Sequence, residues 1–240
     1  MNYLAIDAST EACSVALQVT NTAGINNVFS RYELCPQSHS LHLLPMVDAV
    51  LMEAGIKLAQ LDGLIFGQGP GSFTGVRIGV GVAQGLAFSA NLPVVGVSSL
   101  QAMAQLAFNH YQQTKVLAAI DARMREVYNG YFELDENNIM QPISPAAVTP
   151  PEQLASELLS IIDVINSPVY GVGTGWDAYS EHLAPLKINQ HSPDILFPSA
   201  EGMLTIGIAA FKQGKSVSAE QAQPVYVRDT VSWKKLPGRE

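Results

Sequence analysis

Leu4-Ala5-Ile6-Asp7 and Ala118-Ala119-Ile120-Asp121 decide how this chain is read. Each is a short apolar strand that ends on an aspartate at a turn, and each is followed by a returning strand pattern, at residues 14–19 and 126–134. After the first hairpin come a strand pattern at 28–34, a helix at 39–54 ending at Gly55, a buried strand at 64–67, a helix at 75–90 halted before Pro93, and a strand at 93–97. From Ser98 the pattern restarts. It predicts a helix to about residue 111, strands at 116–121 and 126–134, a Pro-rich passage at 142–151, a helix at 151–162, a strand at 168–173, a helix at 200–213, and a tail holding Tyr226, Trp233, Lys234 and Lys235. The boundary falls near Ser99, which divides the chain into residues 1–98 and 99–240.

Two α/β units that open with the same hairpin and face a cleft have the plan of a two-domain actin/hexokinase-like fold (ASKHA, with its ribonuclease H-like motif). Members of that fold hold nucleotide phosphates between the two hairpins. With 48% apolar residues, the 240-residue chain can bury one large core or two small ones. Thirteen Lys and Arg against 21 Asp and Glu leave a net charge of −8, which opposes phosphate neutralisation, so the chain alone is expected to bind RNA poorly. Cys13 and Cys35 have no C-x-x-C spacing, and a strand pattern begins at once without a basic leader, so a cytoplasmic protein with no metal is expected. Residues 78–113 carry no charge, but Asn91 and Pro93 interrupt them too early for a membrane span.

The glycine-rich stretch Gly67-Gln68-Gly69-Pro70-Gly71-Ser72-Phe73-Thr74-Gly75 links a buried strand to a helix start. It reads either as an anion site, where backbone N–H groups of Gly69, Gly71 and Ser72 meet a phosphate, or as a tight turn. It has no Walker lysine. Asp7 and Ser9 in the first hairpin turn, Asp121 in the second, and Gly173 in Gly171-x-Gly173-x-Gly175-Trp176 complete the candidate nucleotide or anion loops. The charged turn Asp121-Ala122-Arg123-Met124-Arg125-Glu126 fits an anion or mutual ion pairs equally. Ser9, Ser72 and Ser99 have no His and Asp in a triad arrangement, so no catalytic residue is assigned.

The two N-terminal helices suggest an interface. Gly75, Gly79 and Ala83 recur every four residues on one helix face, and glycine inside a helix costs about 1 kcal/mol relative to alanine unless close packing offsets it. The helix at 39–54 is apolar round nearly its whole circumference, so either it is sandwiched inside the domain or one face packs on its own sheet and another, with Leu41, Leu44 and Met52, on a partner, the reading favoured in so small a domain. His39 and His42 read as solvated helix-start residues without chemistry.

The segments 1–17, 67–100, 118–128 and 224–238 together resemble the TsaB (YeaZ) family. GQGPGSFTGVRIGVGVAQGLA, IDARMREVY and PVYVRDTVSWKKLPG are the most specific pieces. The middle segment is also similar to the catalytic paralogue TsaD, in which a related loop and helix lead into a V-x-H-x-x-x-H metal site. Ser99 and Met103 stand where that paralogue has its two histidines, and neither suits a catalytic divalent ion. Asp7-Ala8-Ser9-Thr10 also lacks the glycine of kinase-type phosphate loops.

The resemblance therefore implies a non-catalytic scaffold in tRNA threonylcarbamoyladenosine biosynthesis. Its implied partners are a TsaD-type catalytic subunit and a TsaE-type ATPase, with a homodimer in isolation and tRNA met only through the complex. It implies no cofactor, ADP or ATP being held only at a heteromeric interface. A small actin-like kinase or ATPase and a glycoprotease-like metallopeptidase are the alternatives, each needing a site the sequence does not supply.

Overall fold

The computed structural model describes residues 1–165, 169–186, 188 and 190–228. β1 (Asn2–Asp7), β2 (Ala12–Thr20) and β3 (Asn26–Leu34) make an antiparallel meander. α1 (His39–Ala54) leads to β4 (Gly63–Gly69), and α2 (Phe73–Ala90) leads to β5 (Val94–Ser98). Both strands join parallel to β1, giving the order β3-β2-β1-β4-β5.

α3 (Ser99–Tyr111) then passes to a second sheet of β6 (Lys115–Asp121), β7 (Val127–Leu134), β8 (Met140–Pro142) and β9 (Ala147–Thr149). α4 (Pro151–Ile165) precedes β10 (Tyr170–Val172). The short α5 (Gly175–Ala178) and α6 (Ser180–Leu183) lead to β11 (Gln190–His191), and α7 (Ala200–Lys212) follows. The second sheet runs β11-β10-β6-β7-β8, with β9 also on β7. Again an antiparallel hairpin, β6–β7, is extended by parallel strands, β10 and β11. The actin/hexokinase-like plan is thus present twice.

Strand alternation explains the layering, because successive side chains leave opposite faces of a sheet. Leu4, Ile6, Val15, Leu17, Leu64 and Phe66 share a core with α1 and α2, whereas Tyr3, Ala5, Ala16, Ile65 and Val95 pack on α7. In the second sheet Val116, Ala118 and Ile120 face α3, and Leu117, Ala119 and Tyr131 face α4 to α6. Both sheets are covered on both sides. Among the described residues no helix is long and apolar enough to cross a membrane.

α7 departs from the expected division at Ser99. Its Met203, Leu204 and Ile206 belong to the core of the first sheet, not the second. Its start is tied there too: the Ser14 hydroxyl on β2 accepts from Ala200 N at 2.9 Å, and the Ser30 hydroxyl on β3 donates to the Glu201 carboxylate at 2.5 Å. Val94 and Val217 exchange backbone hydrogen bonds at the edge of the same unit. α7, which follows the second sheet in the chain, thus packs on the first sheet. The strands β8, β9 and β11, with two or three residues each, are too short to leave a period in the sequence. Trp233, Lys234 and Lys235 lie outside the described residues.

α3 and α7 cross between the two sheets with almost no space. A Cβ at Gly202 would stand 2.4 Å from the Ala102 carbonyl oxygen, which is backbone and cannot swing aside. Gly202→Ala is expected to destabilise the chain by about 2 kcal/mol or more. Gly85→Ala, at an exposed turn of α2 with nothing within 4 Å, should stabilise it by up to about 1 kcal/mol. Denaturant midpoints of the two variants test the pair.

Candidate functional site: the interdomain cleft

The β1–β2 turn sits at the centre of the cleft. Asp7 ends β1 fully buried, and its Oδ2 accepts from Ser9 N at 3.2 Å and from the Ser9 hydroxyl at 3.1 Å. Oδ1 has no hydrogen-bond partner and lies over Gly67, where a Cβ would come within 1.9 Å of it. Ser9 Oγ is hydrogen-bonded to Ser99 Oγ at 2.8 Å, which joins the first hairpin to the start of α3. Burial pushes the Asp7 carboxyl up to about 7, against the pull of the Ser9 donors.

The glycine-rich loop is a turn clamped onto this hairpin. Ser72 N donates to the Ser9 carbonyl at 2.7 Å, and the Ser72 hydroxyl caps α2 by accepting from Gly75 N at 3.4 Å. A Cβ at Gly71 would meet the Ser9 carbonyl oxygen at 2.0 Å, and one at Gly75 would meet the Ala8 carbonyl oxygen at 2.3 Å. These glycines let one backbone touch another, and the donors an anion would use at Ser72 and Gly75 are already engaged. Gly69, at φ +99°, carries the tail across the loop: Val225 N donates to the Gln68 carbonyl at 2.8 Å.

The same contacts correct the expected interface. Gly75, Gly79 and Ala83 are all buried and do not face a partner, because the β1–β2 turn approaches α2 along that stripe, with Ala8 N 3.6 Å from a Cβ at Gly79. The outward face of α2 instead carries Phe73, Arg77, Gly81 and Phe88. The Arg77 guanidinium lies 3.3 Å above the Phe73 ring, and Tyr226 of the tail packs against that ring at 5.8 Å between centroids. On α1, Leu41, Leu44 and Met52 are exposed.

The second hairpin turn closes the cleft from the other side. Asp121 Oδ1 accepts from Arg123 N and from the Tyr179 hydroxyl, both at 2.9 Å, and Asp121 N donates to the Thr174 hydroxyl at 3.1 Å. Arg123, Met124 and Arg125 all take positive φ, at 61°, 55° and 59°, a costly run for residues other than glycine. Ion pairs brace it. Arg123 reaches Asp121 at 3.4 Å and, across the cleft, Glu11 at 2.8 Å, while Arg228 pairs with Glu126. Gly173 lets the chain lie against β6, since a Cβ there would be 2.2 Å from the Ala119 carbonyl oxygen and 3.2 Å from Met103 Cε. Ser99 and Met103 are both fully buried.

Asp7, Ser9, Gly71 and Ser72 thus form one assembly, Asp121 and Gly173 another, and Ser99 is the link that sequence reasoning left out. His42 pairs with Glu33 at 3.0 Å. His39 is not solvated: it is buried, with Nε2 2.5 Å from the Thr10 carbonyl oxygen, because the chain after β3 folds back over β2.

These features define a two-domain actin/hexokinase-like protein related to the threonylcarbamoyltransferases. Residues 28–226 match the family model described as TsaD, tRNA N6-adenosine threonylcarbamoyltransferase. The tRNA threonylcarbamoyladenosine biosynthesis protein TsaB of Escherichia coli K12 is 45% identical over 240 residues, covering all of both chains. That of Haemophilus influenzae is 43% identical over 247 residues, covering 100% of this chain and 99% of the relative. The solved structure of YeaZ from Pseudomonas aeruginosa is 44% identical and superposes with a TM-score of 0.83 over 94% of this chain and 99% of that one. The chain belongs to the TsaB (YeaZ) family of tRNA threonylcarbamoyladenosine biosynthesis proteins.

Asp7 generates a pH-dependent prediction. Its carboxyl holds a proton up to about pH 7 in the folded state, whereas the unfolded chain releases it near 3.8. Asp7's share of stability is therefore fully present below about pH 4 and is lost as pH rises through about 7. Asp7→Asn is expected to be about 1–3 kcal/mol more stable than wild type at pH 8, an advantage that shrinks towards zero by pH 4. Urea unfolding of both proteins across that range measures it.

Proposed function

We propose that this chain is a non-catalytic scaffold that docks a TsaD-type catalytic subunit through the outward faces of α1 and α2 and, in isolation, pairs with itself through the same surface. The observation that carries the reading is a set of large apolar side chains on α1 and α2 that the described residues leave exposed. Leu41 is 73% exposed, Met52 74% and Phe88 71%, with Leu44 and Phe73 beside them. They lie on two neighbouring helices whose other faces are already committed to the sheet. Large exposed apolar side chains on adjacent elements mark a protein contact. A small-residue position, Gly81, lies among them with open space above it, so a partner helix can approach closely.

The absence of chemistry of its own is supported by how the cleft is filled. Ser72 and Gly75 donate within the chain, Asp121 accepts from two internal donors, and the buried Ser99 and Met103 offer no ligand pair for a divalent ion. Threonylcarbamoyl transfer from its adenylate to N6 of the adenosine beside the anticodon belongs, on this reading, to the TsaD-type subunit. A TsaE-type ATPase and tRNA join the complex, nucleotide is held only at a heteromeric interface, and the setting is the cytoplasm. With a net charge of −8, the chain meets tRNA through its partners.

Two experiments test this. Leu41→Glu combined with Met52→Glu, or Gly81→Arg alone, should leave the circular dichroism and melting temperature unchanged. Either should weaken both the homodimer and the TsaD-type pairing tenfold or more, read by size exclusion and titration calorimetry. Retention of both complexes by the folded variants rules the surface out. In a transfer assay the chain alone should modify no tRNA, and should stimulate modification when added to TsaD-type and TsaE-type subunits. Modification by the chain alone would overturn the scaffold reading.

A further inference from the structure

Cys13 on β2, Cys35 just beyond β3 and His39 at the start of α1 are brought together by the fold, although they are scattered in sequence. All three are buried, and one ligand atom from each lies within 4.8 Å of the other two. Among the described residues no other group of three or more His, Cys, Asp or Glu side chains is gathered so closely.

The geometry that assembles them is specific. In the β2–β3 ladder Cys13 lies opposite Glu33, and Cys35 follows two residues further along. The two cysteines therefore leave the same face of the ribbon as diagonal neighbours. α1 covers that face. Between Cys35 and His39 the chain makes a tight reversal: Ser38 N donates to the Cys35 carbonyl at 3.0 Å, and Gln37 takes a left-handed φ of 65°. This returns the imidazole over the ribbon. His39 Nε2 is 2.5 Å from the Thr10 carbonyl oxygen, which only accepts, so Nε2 carries the proton and Nδ1 keeps the lone pair.

We propose that Cys13, Cys35 and His39 form a binding site for a thiophilic cation of the zinc class, unrelated to the cleft and structural in role. Two sulfurs and one imidazole are the donor set such ions select. An imidazole whose second nitrogen is fixed by a backbone carbonyl is the usual form of a metal-bound histidine. Around a tetrahedral zinc, bonds of about 2.3 Å to sulfur and about 2.0 Å to nitrogen set the ligand atoms roughly 3.3–3.8 Å apart, so a trio with one ring nitrogen within 4.8 Å of both sulfurs needs shifts of about 1 Å, with Nδ1 the nitrogen that must face the ion. Charge balance favours it as well. Each thiol releases its proton to solvent on binding, and two thiolates, one neutral imidazole and one divalent cation sum to zero, as a buried site requires. A small donor such as water takes the fourth position.

The site has a structural consequence. The ion would tie β2, the end of β3 and the first turn of α1 into one unit and, through the Thr10 carbonyl, brace the Asp7–Thr10 turn. It would thereby fix the base of the helix that bears Leu41, Leu44 and Met52.

The test uses the full chain, without a polyhistidine tag and under a phosphine reductant that keeps both thiols reduced. Zinc content after dialysis should be about one equivalent per chain. Titration of metal-free protein with Co2+ should produce the near-ultraviolet charge-transfer absorption of thiolate–cobalt bonds. Zn2+ in hundredfold excess over its Kd should raise Tm by about 5–10 °C, whereas Mg2+ should not. Cys35→Ala and His39→Gln should each weaken Zn2+ binding at least tenfold. If either variant does not fold, wild type still decides: bound Zn2+ should slow the reaction of the two thiols with a disulfide reagent. The proposal is overturned if reduced wild type shows no cobalt–thiolate absorption and no Zn2+-dependent rise in Tm. It is equally overturned if folded variants retain the metal undiminished, since the ion would then lie elsewhere.

Discussion

The carbonyl oxygens of Ala8 and Ser9 press against positions 75 and 71, where a hydrogen is the largest substituent that fits. A contact between two backbones cannot be relaxed by a rotamer change, so it fixes how the first hairpin meets the start of α2. Much else follows from that junction. α2 is held with its small residues inward and with Phe73, Arg77, Gly81 and Phe88 outward, beside the exposed stripe of α1. Asp7 is carried beneath solvent over Gly67, and Ser9 is delivered to Ser99 at the head of α3, which lies between the two sheets.

The two hairpin turns are joined to their surroundings chiefly through contacts within the chain. Their polar atoms are matched mostly within the chain, and the Asp7 oxygen without a partner belongs to a carboxyl whose proton affinity burial raises. The strained Arg123-Met124-Arg125 turn is held by ion pairs with Glu11 and between Arg228 and Glu126, which close the opposite edge. Arg123 is largely exposed, so its pairing directs the geometry more than it adds stability.

Sequence periodicity revealed the repeated hairpin, the parallel strands and the long helices, because each of these buries a face at a fixed period. It also marked Gly75, Gly79 and Ala83 as a close-approach stripe, yet could not say what approaches, and the answer was the chain's own turn at Ala8. His39 shows the same limit. A helix start looks solvated from its neighbours in sequence, and only the strand register that sets Cys13 and Cys35 side by side reveals that it is covered. The helix at 200–213 was legible, but a helical period does not name the sheet that the helix covers. Ser14 and Ser30, which receive α7, are ordinary strand serines with no distinguishing context. The Ser9–Ser99 bond spans ninety positions and leaves no local mark.

α7's return to the first sheet bears on how the molecule is made. One face of the first sheet, with Tyr3, Ala5, Ala16, Ile65 and Val95, lacks the cover of α7 until residues near 212 have left the ribosome. By then the whole second unit has emerged. An N-terminal unit that matures while the rest is still being synthesised would do so without one of its packing helices. A helix from beyond the second sheet thus completes the first, so the native packing of the first sheet needs chain made after the second unit.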